Sequence, residues 1–325
     1  GTVRLWNLDG SPRGEPLRGH EVQPFGSGGV RTVAFSPRGG VLASGGKDGT
    51  VRLWNLDGSP RGAPITGHGG GVWSVVFSPR GDMLASGGAD GTVRLWNLDG
   101  SSRGKPLEGH KGQVLSVAFS PRGDVLAAGG SDGRVRLWNL DGSPRSEPLE
   151  MQLGGSFSVA FSPHGDVLAS GGIDGTVRLW NLDGSPRGEP LKSQALSSFD
   201  QVVQVVAFSP QGDVLASGGS DGMVRLWNLD GSPRGKPLKG HGDLIRSVAF
   251  SPQGNVLASS GSNGMVRLWN LNGSPRGEFV LGSMVLSLIF LPQGDALVSG
   301  GSDGAVRLWN LDGSPRGEPL EGHEG

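Results

Sequence analysis

The chain has 325 residues, among them 61 Gly and 22 Pro but no Cys, and its 29 Lys and Arg nearly cancel 30 Asp and Glu. A near-neutral chain without runs of like charge is not built to recruit nucleic acid or an anionic membrane surface by bulk electrostatics. Lack of Cys excludes disulfides, thiolate metal sites and a thiol nucleophile, and with no apolar run long enough to span a bilayer a cytoplasmic location is expected.

The Gly and Pro residues recur in register, so they read as turns between short strands rather than as low complexity. The chain opens on Gly1-Thr2-Val3, directly ahead of Arg4-Leu5-Trp6-Asn7-Leu8. That five-residue run returns unchanged at Arg52, Arg94, Arg136, Arg178, Arg225, Arg267 and Arg307. Its tryptophans, from Trp6 to Trp309, are eight of the nine in the chain and lie 40 to 48 residues apart. A period of this size marks a repeat architecture.

One period divides into four runs. Val114–Ser120 (a) is rich in β-branched and apolar residues and is closed by Pro121-Arg122-Gly123-Asp124. Val125–Ala128 (b) is closed by Gly129-Gly130-Ser131-Asp132-Gly133, and Arg134–Leu140 (c) by Asp141-Gly142-Ser143-Pro144-Arg145. Glu147–Glu150 (d) is weaker, and its Pro suits an edge strand. Four short strands in about 40 residues predict a propeller blade, and no segment has helical periodicity. Strands a and c are apolar on both alternating faces, as in Val72–Phe77, which predicts that they are sandwiched between neighbouring sheets. A single blade cannot bury its own faces, so stability must come from stacking.

The residues identify a family at this point. Gly-His before strand a, Ser in b, an Asp turn and Trp in c together resemble WD40 repeats, of the highly regular bacterial, cyanobacterial-type kind. One departure is systematic: the Asp after the Trp of that family is Asn here, from Asn7 to Asn310. The resemblance implies a buried hydrogen-bonded tetrad in each blade. The first supplies His20, Ser44, Asp48 and Trp54, and the second His68, Ser86, Asp90 and Trp96. The third keeps His110, Asp132 and Trp138 with Ala128 for Ser. The sixth keeps His241, Ser259 and Trp269 with Asn263 for Asp. The fourth, fifth and seventh lack Gly-His, as Met151-Gln152, Ser193-Gln194 and Gly282-Ser283 show. The five blades that lack a member are thus expected to be incompletely braced and to exchange strand-d amides sooner.

The expected architecture is an all-β, seven-bladed WD40 propeller of four-stranded antiparallel blades, a single domain over residues 1–325. Blades start near residues 30, 72, 114, 156, 203, 245 and 285, and residues 1–29 hold a surplus c–d pair and a long connection. An eight-bladed ring with one incomplete blade is the alternative. The chain lacks an initiator Met and stops at Gly322-His323-Glu324-Gly325, where a further repeat would start, so it reads as a piece of a longer protein.

His, Ser and Asp together also suit nucleophilic catalysis, but that needs one placed set with an oxyanion site, and here the set is repeated and partly broken. No catalytic residue, metal or cofactor is expected. The c–d turns gather eight Arg and seven Asp near one face, read as exposed pairs of the Arg with the Asp of its own turn.

Where the repeats differ is more informative. By resemblance, the d–a and b–c loops form the face that binds peptides and partner domains. The second residue of strand a and the residue before the turn Asp vary there. They give an apolar side, Trp73, Leu115 and Phe157 with Ala89 and Ile173, and a basic side, Arg31, Arg246 and Lys47. Two connections, Glu21 to Gly29 and Lys192 to Val202, are longer than the rest. The function expected is a non-catalytic interaction or sensing scaffold that binds a protein or peptide, the recognition part of a larger signalling protein, with self-association through the surplus pair. An enzyme or small-ligand binder using the central channel, and a structural or engineered repeat scaffold, are the alternatives.

Overall fold

A computed structural model describes residues 1–20, 29–151, 154–192 and 202–322. Most of the two long connections therefore lies outside the described residues, as do Gln152, Ser193 and Gln194. Every regular element in the described residues is a strand, because the β-branched runs are too short for helices and are punctuated every few residues by Gly and Pro. The fold is a seven-bladed β-propeller of antiparallel sheets with one extra two-stranded sheet.

Contacts group the chain into two compact units, Gly1–Phe161 with Leu182–Ser185, and Ser162–Asn181 with Pro186–Gly325. The first unit opens with the extra sheet, β1 (Thr2–Val3) and β2 (Leu17–Arg18). Next come β3 (Val30–Phe35), β4 (Val41–Gly46) and β5 (Val51–Asn55), then β6 (Val72–Phe77), β7 (Met83–Gly88) and β8 (Val93–Asn97). The third blade is β9 (Val114–Phe119), β10 (Val125–Gly130), β11 (Arg134–Asn139) and β12 (Leu149–Glu150). The fourth has β13 (Ser156–Phe161) in the first unit, and β14 (Val167–Gly172), β15 (Thr176–Asn181) and β16 (Leu191–Lys192) in the second.

The second unit continues with β17 (Val203–Phe208), β18 (Val214–Gly219), β19 (Met223–Asn228) and β20 (Leu238–Lys239). The sixth blade is β21 (Ile245–Phe250), β22 (Val256–Gly261), β23 (Met265–Asn270) and β24 (Pro275–Val280). The seventh is β25 (Val285–Phe290), β26 (Ala296–Gly301) and β27 (Val306–Asn310).

Strand d is short for a chemical reason. A Pro, such as Pro148 or Pro237, precedes its one paired Leu and has no N–H for the ladder. In the first, second and seventh blades, strand d shrinks to the single bridges Val51–Ile65, Val93–Leu107 and Val306–Leu320. The sixth blade carries Phe279 in place of that Pro, and there strand d pairs from Met265–Val280 to Trp269–Pro275. Strand b, not a or c, is the most buried strand: all six residues of β4, β7, β10, β14, β18 and β22 are buried. Its Ala, Ser and Gly residues are small enough to admit the next blade on one side. Val72 and Val75 approach Gly45 so closely that a Cβ there would meet them at 2.7 and 2.9 Å.

Strand a carries a bulge directly after its first residue. Register shifts between Val30 and Thr32, Val72 and Ser74, Val203 and Val205, Ile245 and Ser247, and Val285 and Ser287. In the third blade the same step skips Leu115. The residue passed over has no opposite partner, which releases its side chain from the alternation of the strand.

Candidate functional site

In each complete tetrad one Ser hydroxyl joins the Trp indole to the His imidazole. Trp54 Nε1 donates to Ser44 Oγ at 2.8 Å, and Ser44 Oγ lies 2.7 Å from His20 Nε2. His20 Nδ1 then lies 3.0 Å from an Asp48 carboxylate oxygen. The only assignment that satisfies every atom is a neutral imidazole with its proton on Nδ1, accepting from Ser44 and donating to Asp48. Trp96, Ser86, His68 and Asp90 repeat this at 2.8, 2.7 and 3.0 Å. Burial pushes the His20 and His68 imidazoles below their ordinary pKa, against the pull of Asp48 and Asp90. Burial opposes charge on Asp90 too, but hydrogen bonds from Gly69, His68 and Thr92 outweigh it and bring its carboxyl down to about 2. The pair is thus a neutral His on an ionised Asp.

The broken tetrads differ as the substitutions require. In the third blade His110 Nδ1 reaches Asp132 at 2.9 Å, but opposite Ala128 its Nε2 is buried without a partner. In the sixth blade Trp269 and His241 both reach Ser259, at 2.8 Å each. His241 Nδ1 has no partner there, because Asn263 donates through Nδ2 to the His241 carbonyl instead. Burial, with the Arg267 charge, takes His241 down to a pKa of about 4.

In the blades without Gly-His the bracing is substituted rather than lost. Trp180, Trp227 and Trp309 still donate to Ser170, Ser217 and Ser299 at 2.8 to 2.9 Å. The turn Asp is taken by the first residue of the invariant run: Arg178 on Asp174 at 3.5 Å, Arg225 on Asp221 at 2.7 Å and Arg307 on Asp303 at 2.8 Å. Arg307 brings the Asp303 carboxyl down to about 2. Where Gly-His is present, the same Arg lies over the Gly: a Cβ at Gly67 would meet Arg94 at 3.0 Å, and one at Gly240 would meet Arg267 at 2.5 Å. Phe279 of the sixth blade also stacks on Trp309 of the seventh, 4.3 Å between ring centroids.

This arrangement is not a hydrolytic one. Ser44, Ser86, Ser170, Ser259 and Ser299 have no exposed surface, and each hydroxyl accepts an indole N–H. No substrate carbonyl can reach them. Among the described residues no group of three or more His, Cys, Asp or Glu is placed to hold a metal ion.

The c–d turns are organised differently from the expectation. Each turn Asp is occupied by the Ser two residues on: Ser11 donates from N and Oγ to Asp9 at 2.9 and 2.6 Å, and Asp57 to Asp312 repeat the pattern. The turn Arg turns elsewhere. Arg187, Arg234 and Arg316 meet the a–b-turn residues Asp166, Asp213 and Asp295 at 3.7, 3.3 and 2.8 Å, and Arg13 donates to the Leu56 carbonyl. The Asp and Ser side chains of Asp-Gly-Ser-Pro-Arg are therefore spent on turn geometry.

Arg31, Trp73, Leu115 and Arg246 occupy the bulge of strand a, Phe157 the matching position of β13, and Lys47, Ala89 and Ile173 the b–c turn. Trp73, Leu115 and Phe157 are half-buried, as is Ala89. They sit at matching positions of β6, β9 and β13, which are tied side by side by the Val117 N–H on Ser74 and the Val159 N–H on Ser116. Arg31, assigned to the opposite, basic side by the sequence, lies on the indole of Trp73, its guanidinium carbon 3.4 Å from the ring centroid. Arg31 Nη1 and Trp73 Nε1 are both buried without a partner. Lys47, exposed in the same turn series, is near by, since a Cβ at Gly71 would meet its Cα at 3.3 Å. Ile173 (exposed) and Arg246 belong to the second unit, where Arg246 Nε donates to Ser262 at 3.0 Å.

Sequence reasoning did not foresee a cleft of about 440 Å³ in the second unit, lined by Leu191, Lys192, Trp227, Pro233, Lys236 and Pro237. The signal in the sequence was the missing Gly-His after Lys192, in a blade where Arg225 lies on Asp221.

Comparisons with known proteins agree with this geometry. The family model described as WD domain, G-beta repeat matches residues 11–55, 60–97, 101–139, 153–181, 191–228, 231–270 and 274–310. Among curated proteins no match is found. The chain is similar to the crystal structure of the computationally designed Ika8 protein (crystal packing No.1 in P63), at 25% identity and a TM-score of 0.74 over 90% of this chain and 86% of that one. No helix among the described residues is long and apolar enough to cross a membrane. WD40 propellers are in general non-catalytic interaction scaffolds. With family-model matches over most of its length, tetrads built from Trp, Ser, His and Asp, and the sheets that hold them, the chain belongs to the WD40 repeat family.

Proposed function

We propose that the protein is a recognition scaffold that binds a peptide segment of a partner protein through the strand-a bulges of the first unit. The observation that carries this reading is the Arg31–Trp73 pair: a guanidinium stacked on an indole with a buried, unused donor on each. Burial also lowers the Arg31 pKa, and an acceptor brought to its unused Nη1 donor would satisfy it. Trp and Arg at the centre of a contact are the residues that most often dominate binding. Leu115, Phe157 and Ala89 extend the surface with apolar contact, and Lys47 adds a second cation. A segment with a carboxylate next to an apolar side chain fits this set. The same role within a larger signalling protein follows from the way such scaffolds are used.

Selection of a random peptide library on the immobilised protein, followed by calorimetry, tests this. Enriched peptides should carry an acidic residue beside an apolar one, and Trp73→Ala should weaken them by about tenfold or more. Selected peptides that bind the Trp73→Ala and Phe157→Ala variants as tightly as the parent would sink the reading.

A further inference from the structure

The sixth blade has lost negative charge at its turns. Asn272 stands where the other seven c–d turns carry Asp, and Asn263 where the other six b–c turns carry Asp. Both are followed by Gly, and no other Asn in the chain is. An Asn–Gly pair can rearrange on itself, because Gly has no side chain to keep its backbone nitrogen away from the carbonyl carbon of the Asn side chain.

The structure separates the two pairs. In both, the Gly N–H donates to a turn carbonyl, Gly264 to Gly261 at 3.2 Å and Gly273 to Asn270 at 2.9 Å, so one bond must open before either nitrogen can attack. They differ in the group that has to leave. Asn263 Nδ2 is held by the His241 carbonyl, its Oδ1 accepts the Met265 N–H at 3.1 Å, and Gly264 is buried. Asn272 is exposed, and its Oδ1 accepts two donors, Ser274 N at 3.0 Å and Ser274 Oγ at 2.7 Å. Those donors stabilise the charge that builds on the oxygen when the carbon is attacked. The Asn272 amide nitrogen has no hydrogen bond among the described residues and meets water, where it can take up a proton.

We propose that Asn272 is a modification site at which the chain deamidates itself. The Gly273 nitrogen bonds to Asn272 Cγ and gives up its proton, the Cγ–Nδ2 bond breaks, and ammonia leaves with that proton. Water then opens the succinimide ring, its hydroxyl going to one of the two carbonyl carbons and its proton to the ring nitrogen, which yields Asp or its β-linked isomer. The Asp product meets a turn already built for it. Ser232 donates from N and Oγ to Asp230 at 2.8 and 2.6 Å in the preceding blade, as Ser274 does to Asn272. What changes is the charge. A cleft of about 520 Å³ is lined by Lys236, Lys239, Arg267, Trp269, Asn272 and Pro275, with no carboxylate among its described lining. The matching cleft one blade earlier has Glu189 and Asp230 in its lining. Deamidation gives the second cleft a carboxylate among its cations and so weakens it for any anion.

The intact chain, incubated at neutral pH and mapped at intervals by proteolysis and mass spectrometry, tests this. The peptide carrying Asn272 is expected to gain one mass unit at least about tenfold faster than the peptide carrying Asn263. On ion exchange, one new species should co-elute with the Asn272→Asp variant. Asn272→Gln should abolish the first gain and leave the second unchanged. In urea the two sites should react at similar rates, because the contrast between them belongs to the folded turns. No gain at Asn272 in the folded chain while it proceeds in urea overturns the proposal, as does a gain at Asn263 equal to that at Asn272. A contrast that persists unchanged in urea overturns it too, since the turns would then play no part.

Discussion

Ala128 stands where six other blades carry a Ser, and it leaves the His110 Nε2 buried without a partner. The site has room for a hydroxyl, because the same backbone holds one in every complete tetrad. Ala128→Ser should therefore raise stability by about 1 to 2 kcal/mol, read as a higher denaturant midpoint at unchanged slope. An unchanged midpoint would show that the unpaired nitrogen costs nothing. His241 has the opposite defect, at Nδ1, and a pKa near 4 against the ordinary 6.5. Its folded pKa is depressed, so the unfolded chain binds the proton first as pH falls. The contribution is complete above pH 6.5 and is lost towards pH 4, with a limiting slope of about 1.4 kcal/mol per pH unit. Asn263→Asp gives Nδ1 an acceptor and should flatten this part of the stability profile, measured by thermal melts from pH 7 to 4. Both defects were legible as letters in the sequence. Arg31 on Trp73 was not, because the bulge that brings them together belongs to the pairing of β3 and β6 with their neighbours and leaves no mark on either strand's pattern.

Among the elements, the invariant strand c is the one that adapts. Its Arg has two places to lie, over the Gly of a Gly-His or on the turn Asp, and which it takes depends on whether a His already holds that Asp. The Arg225–Asp221 pair is largely shielded from water, with 11% and 13% of the two side chains exposed. Arg225→Met should cost about 1 to 3 kcal/mol, since it strands a carboxylate. Arg94→Met should cost much less: Asp90 keeps its bonds from His68, Gly69 and Thr92, and Arg94 Nε is itself buried without a partner. Equal losses in the two variants, measured by chemical denaturation, would refute the substitution of one brace by the other. The missing Gly-His was legible, but the Arg that meets the Asp in its absence was not, because a motif that never varies gives no hint that its first residue changes its contact.

At the scale of the molecule the repeat carried most of the information. Strands a begin at Val30, Val72, Val114, Ser156, Val203, Ile245 and Val285, where the change from turn residues to β-branched runs places them. The extra c–d pair was also readable from a count of motifs. Where it packs was not, since Arg-Leu-Trp-Asn-Leu is the same in all eight copies and cannot say which neighbour it meets. The exposure of Val33 and Phe35 was not legible either: β3 resembles the other a strands in sequence.

The two resting places of the strand-c Arg bear on how this gene can change. Because the replacement for a lost His is already written four residues from the Asp in each of the six copies that carry that Asp, a mutation at Gly-His does not leave a charge unattended. The link between one blade and the next is thereby released from a structural duty and can lengthen, as after Lys192, or take on new side chains, as at Phe279. Redundancy within the repeat is what leaves these links open to variation.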